Sequence, residues 1–142
     1  MKQQVVISIE GRQSLPGIEP EVIRTQARGI LEDRGEAGVL LTYQEDGQSE
    51  MERVWTTLTA TPDRVVLERT GALKSQMVFV EGQEHSSSYA TPYGTLELVI
   101  RTRSLCSSLD GRGGALKLEY DLELGGTGAG RNTLWLQIRP EP

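Results

Sequence analysis

The sequence predicts an all-β fold, an antiparallel meander closed into a barrel. One observation is a hydrophobic period of two that recurs along the chain; the other is a set of turn signals at short intervals with no long helix between them. Leu116, Leu118, Tyr120, Leu122 and Leu124 alternate with Lys117, Glu119, Asp121 and Glu123. Successive strand side chains point to opposite faces, so such a run has one buried face and one wet face. That is the antiparallel pattern, since buried parallel strands read as continuous apolar runs.

Three further runs repeat it. Val5, Ile7 and Ile9 share a face near the start. Leu96, Leu98 and Ile100 alternate with Glu97, Val99 and Arg101, and Leu134, Leu136 and Ile138 alternate with Trp135, Gln137 and Arg139. Between the runs fall Glu45-Asp46-Gly47, Thr61-Pro62-Asp63, Glu81-Gly82, Thr91-Pro92-Tyr93-Gly94, Asp110 to Gly114 and Gly125 to Gly128. Each supplies a glycine for positive φ, a proline with fixed φ, or an Asp that tolerates a turn. Many strands joined this way make a barrel or a sandwich. Closure is favoured, because an open sheet of that size would leave two long unpaired edges.

The stretch 21–34 fits two patterns. Val22, Ile23, Ala27, Ile30 and Leu31 have helical spacing behind Pro20, while Ile23, Thr25, Ala27, Gly29 and Leu31 fit one strand face. Gly29 in mid-element costs a helix about 1 kcal/mol relative to Ala, which favours the strand.

Composition bounds the function. The 142 residues match one domain spanning 1–142, and 37% hydrophobic with 25% charged residues is a globular composition. A net charge of −5 argues against nucleic acid or an anionic membrane as the main partner, since tracking phosphates needs a basic face. The lone Cys106 precludes an intrachain disulfide and fits a reducing compartment. No apolar run approaches the roughly 20 residues of a membrane-spanning helix, and the start of the chain alternates rather than forming a signal-peptide core. The expectation is a cytoplasmic protein.

From Arg69 onward the chain resembles the YwiB-like family of uncharacterised bacterial proteins. The resemblance is carried by Arg69-Thr70-Gly71-Ala72-Leu73, Ser75-Gln76-Met77-Val78-Phe79, Gly82, His85 and Tyr89-Ala90-Thr91-Pro92-Tyr93-Gly94. It continues in Gly113-Gly114-Ala115-Leu116, Tyr120, Leu122 and Asn132, and the segments around Val5 to Ile9 and Ile23 to Tyr43 agree with it. It implies a lipocalin-like, calycin-type barrel of about 8–10 strands and strand rather than helix at 21–34. It implies no reaction, and no catalytic residue is carried over.

Candidate site residues follow from chemistry and phase. Arg69 shares its face with Val65 and Leu67, which can aim a cation into the barrel toward a carboxylate or phosphate, or set it at the barrel end in an ion pair. His85, the only histidine, shares a face with Ser87 and Tyr89 and is a lumen candidate or an ordinary strand histidine. Met77 and Phe79 share a face and read first as core, second as ligand contacts. Tyr89 and Tyr93 flank the Pro92 turn as a lip or as caps on the core. Arg101 and Arg103 read as outward and solvated; Trp135 also reads as outward, whereas the face of Trp55 stays open. One histidine and one cysteine do not make a metal site, and no cofactor is expected. Gly125 to Gly130 lies between strands and lacks the helix N-terminus that a phosphate loop needs. Cys106 and the serines around it have no neighbouring base in sequence.

The best-supported expectation is therefore a non-enzymatic barrel that binds a small apolar or amphiphilic molecule through Arg69, Met77, Phe79, His85, Tyr89 and Tyr93. The alternative is a protein-interaction module, with homodimerisation as its simplest form. An enzyme ranks third.

Overall fold

Each alternating run becomes a strand, and the strands pair in chain order. A computed structural model describes residues 2–14, 17, 19–45, 54–71 and 74–142. The strands are β1 (Lys2–Ser14), β2 (Glu21–Asp33), β3 (Val39–Glu45), β4 (Val54–Thr61), β5 (Arg64–Gly71), β6 (Lys74–Phe79), β7 (Glu84–Thr91), β8 (Gly94–Ser107), β9 (Gly114–Leu124) and β10 (Thr127–Pro140). Every neighbouring pair is antiparallel, and β1 pairs with β10 to close a ten-stranded barrel. The ambiguous stretch 21–34 is strand up to Asp33. Asp46-Gly47, Met51 to Arg53 and Ala72-Leu73 lie outside the described residues.

The turn chemistry works as expected where it is described. Gly125 and Gly126 both take positive φ (62° and 82°), the two-residue hairpin geometry that matches the strand twist. The glycine-rich segment is therefore mostly strand, since β10 begins at Thr127 and bulges between Gly128 and Arg131. At Pro92-Tyr93 the turn closes on Gly94, with φ 138°.

The inward face is the core. Val5, Ile7, Leu31, Leu41, Leu58, Leu67, Phe79, Ile100, Leu116, Leu118 and Leu136 are all fully buried or within 2% of it. Each such side chain stabilises the fold by about 1.5–3 kcal/mol. The outward face carries ion pairs instead, including Arg101–Glu123 at 3.0 Å and Arg103–Asp121 at 2.8 Å. Exposed pairs contribute about 0–1 kcal/mol each, so burial decides the fold and the pairs decorate it. A bulge between Thr102 and Ser104 shifts the phase by one residue, which keeps Leu105 inward opposite Leu118. No helix among the described residues is long and apolar enough to cross a membrane.

Two glycines test the packing of the barrel. A Cβ on Gly29 would stand 2.6 Å from the Thr42 carbonyl oxygen and 3.0 Å from Ile7 Cδ1, whereas a Cβ on Gly11 would meet nothing within 4 Å. We expect Gly29→Ala to lower stability by about 1–3 kcal/mol, read from the urea midpoint, and Gly11→Ala to leave the midpoint nearly unchanged.

Candidate functional site

The registers of the ladders line up inward side chains in cross-strand rows, and one row is unlike the rest. It runs Tyr43, Thr56, Arg69, Ser75, Tyr89, each directly opposite the next on β3, β4, β5, β6 and β7. The next row down reads Leu41, Leu58, Leu67, Met77, and the one beyond it Val39, Ala60, Val65, Phe79. The interior thus changes from apolar to polar within one strand repeat, about 7 Å.

The tight Thr61-Pro62-Asp63-Arg64 hairpin sets this juxtaposition. It fixes the β4–β5 register, so that Thr56 meets Arg69. Thr56 is fully buried and Ser75 is 7% exposed, and neither hydroxyl has a hydrogen-bond partner. A buried polar group left unpaired costs about 1–3 kcal/mol, so these two hydroxyls beside a guanidinium weigh against stability. Arg69 Nε is itself shielded from solvent.

From the far wall, Tyr120 on β9 reaches into the same region. Its ring meets Phe79 edge-on, with centroids 4.9 Å apart and planes at 63°. Arg69 therefore faces hydroxyls on both flanks and a phenol across the lumen.

Above this row the barrel opens. A cavity of about 370 Å³ is lined by the apolar Ile9, Ile23, Ala27 and Leu134, by the polar Thr25, Gln26 and Gln44, and by Tyr43 and Arg69. Ile23 stands at the rim, 57% exposed. Gly11 contributes bare backbone to the wall, which is why space remains beside it.

Of the six residues singled out from sequence, Arg69 alone is among the described residues that line this cavity. Phe79 is fully buried in the core, with Met77 and Tyr89 packed partly against it. His85 lies four residues along β7 from Tyr89, and its Nε2 is 3.2 Å from Gln83 Oε1. Tyr93 is 99% exposed on the β7–β8 turn. Thr56, Ser75, Tyr43 and Tyr120 were missed. The signal for Thr56 was available: pairing β4 to β5 through the Pro62 hairpin puts Thr56 beside Arg69.

Trp135 faces outward on β10, with Lys117 Nζ 4.7 Å from its ring centroid. It borders an outer groove whose charged residues, Arg24 and Glu10, pair with each other at 2.6 Å. Trp55 also faces outward and is half exposed. Among the described residues no group of three or more His, Cys, Asp or Glu side chains could hold a metal ion.

Enclosure raises the pKa of the Tyr120 phenol above its ordinary value of 10.0, and the nearby Arg69 cation partly opposes this. The folded state therefore holds this proton more tightly than the unfolded chain. Its contribution to stability is complete below the unfolded value and is lost as pH rises through the folded one. Tyr120→Phe should flatten the alkaline fall in stability, measured by urea unfolding at increasing pH; an unchanged slope would assign the fall to other groups.

Comparison with known proteins agrees with this architecture. The chain is 29% identical over 126 residues to the uncharacterized beta-barrel protein YwiB of Bacillus subtilis (strain 168), covering 88% of this chain and 87% of that protein. The crystal structure of the ywiB protein from Bacillus subtilis superposes with a TM-score of 0.82 at 20% identity, over 99% of this chain and 94% of that one. A family described as a domain of unknown function, DUF1934, matches residues 7–136. With nearly the whole barrel inside that match, the chain belongs to the DUF1934 family.

Proposed function

We propose that this protein is a non-enzymatic binding barrel that takes a small apolar or amphiphilic molecule through its open end, in the lipocalin-like manner. The observation that carries the reading is the division of the interior. One part is packed with side chains, and the other holds a cavity of about 370 Å³ whose lining is mostly apolar, with Thr25, Gln26, Gln44 and Arg69 as its polar members. Small ligands favour such a site: mostly apolar, concave, with a few convergent polar groups. The outer groove at Trp135 is the weaker candidate, because Arg24 and Glu10 already satisfy each other there. The exposed, lone Cys106 suits work in a reducing cytoplasm.

Gly11 offers a direct test. A leucine there would fill the cavity from a position where an added Cβ meets nothing within 4 Å. The parent protein should enhance the fluorescence of the neutral probe N-phenyl-1-naphthylamine, and Gly11→Leu should weaken that binding about tenfold with its unfolding temperature nearly unchanged. Equal binding by both proteins would place the probe elsewhere and sink the reading. A second reading, self-association, is favoured by Ile30 and Trp55, 46% and 50% exposed on the outward faces of β2 and β4.

A further inference from the structure

We infer that the outer groove beside Trp135 binds a neutral saccharide, with one sugar ring stacked on the indole and its hydroxyls held by Gln26, Ser8 and Gln137. The groove lies against the outer side of the β1–β2 wall, whose inner side faces the interior cavity, so Ile9, Thr25 and Gln26 border both. It is a second site, and the inference goes beyond the binding-barrel reading.

The first argument is a break in the surface pattern. Elsewhere the outward face carries ion pairs such as Arg101–Glu123 and Arg103–Asp121. Here the ladders set Gln26, Ser8 and Gln137 directly opposite one another on β2, β1 and β10, in an uncharged outward row. All three line a groove of about 510 Å³, and their side chains have no hydrogen-bonding partner among the described residues. A primary amide and a hydroxyl each both donate and accept. Sugar hydroxyls do the same, so they match such a row in more than one orientation. Three strands spread the row over roughly 10 Å, enough to reach hydroxyls on different sides of one ring.

The second argument is the adjoining row, Arg24–Glu10–Trp135, which is also in register. Lys117 on β9 holds its Nζ over the Trp135 ring, whereas the groove lies on the β1 side. One indole face is thus taken, and the other looks into the groove. That face is apolar and carries a partial negative charge. The C–H groups on one side of a pyranose ring carry the opposite partial charge and present a flat apolar surface that stacks on it.

The third argument is charge. The charged residues lining the groove, Arg24 and Glu10, pair at 2.6 Å through Nε and Oε1, so the lining has no net charge. An ionic ligand of either sign would meet one like charge for each opposite one. Glu10 Oε2 and the remaining guanidinium N–H groups keep hydrogen-bonding capacity for hydroxyls. A wholly apolar ligand would strip water from these polar groups and replace it with nothing. An extended peptide gains no main-chain bonds here, because β1 is paired with both β10 and β2 along Ser8 to Glu10.

Titration of the isotope-labelled full chain with maltose, cellobiose, lactose and N,N′-diacetylchitobiose, followed by amide chemical shifts, tests this. At up to about 50 mM, enough for dissociation constants of millimolar order, at least one disaccharide should shift the amides of Ser8 to Glu10, Arg24 to Gln26 and Trp135 to Gln137. Trp135→Ala should weaken that binding at least about tenfold, and Trp135→Phe should retain most of it. Gln26→Ala and Gln137→Ala should each weaken it a few-fold, and they serve if Trp135→Ala does not fold. Gly11→Leu should leave it unchanged, because that side chain enters the interior cavity on the other side of the wall. The absence of groove shifts with all four disaccharides would overturn the inference, as would shifts that ignore both glutamine variants. So would adenosine binding more tightly than every disaccharide, which would make the groove a stacking site for a flat base. None of these results touches the interior cavity, which N-phenyl-1-naphthylamine and Gly11→Leu test separately.

Discussion

Closure of the sheet between β1 and β10 is the constraint on which everything else depends. That ladder runs from Val5–Pro140 to Ser14–Arg131 and joins the first strand to the last. Once it forms, the first and last strands cover each other's edges, and every strand has a true inside and outside. The alternation along each strand then becomes a radial partition. Leucine, isoleucine and valine go in, and arginine and glutamate go out. The same closure aligns residues far apart in sequence, so that Leu118, Leu134, Gly11 and Ile23 form one continuous inward row.

Within that frame the barrel is unequal along its axis. Rows such as Leu41–Leu58–Leu67–Met77 fill the interior with apolar side chains and supply most of the stability. The row above exchanges leucine and valine for tyrosine, threonine, arginine and serine. A protein selected for stability alone gains nothing from burying Thr56 and Ser75 without partners beside Arg69. Function is the natural place to look for the compensation. Gly11 completes the arrangement by withholding a side chain where the wall would otherwise close.

The ladder is also uneven around the circumference. Among the described residues β6 and β7 share two paired positions, Lys74–Ala90 and Ser75–Tyr89, and further along Ser87 Oγ donates to the Gln76 carbonyl. The β6–β7 turn is held instead by β8, through Gly82 N–H to the Thr102 carbonyl at 2.9 Å and Thr102 N–H to the Gln83 carbonyl at 3.1 Å. This seam passes beside the polar row, so a sparsely laddered part of the wall adjoins the candidate site.

Periodicity and turn chemistry made much of the fold legible without coordinates, because both act over a few residues. The alternation of β9 and β10, the Gly125-Gly126 hairpin and the Pro92 turn are local properties, and Arg69 could be assigned inward from its phase with Val65 and Leu67. Two features were less accessible. The bulge after Thr102 changes phase with no marker beyond the pattern itself, and Phe79 and Met77 cannot be told from cavity-lining residues by phase, since core and lumen share one face. The depth of each inward residue along the barrel, and hence whether it meets packed leucine or open space, depends on strand register and closure. Those are set by hydrogen bonds between distant segments. The alternation by itself determined which side chains point inward over most of the strands; only the closed barrel decided that Thr56, Arg69 and Ser75 stand side by side in one inward row, with Arg69 lining a cavity.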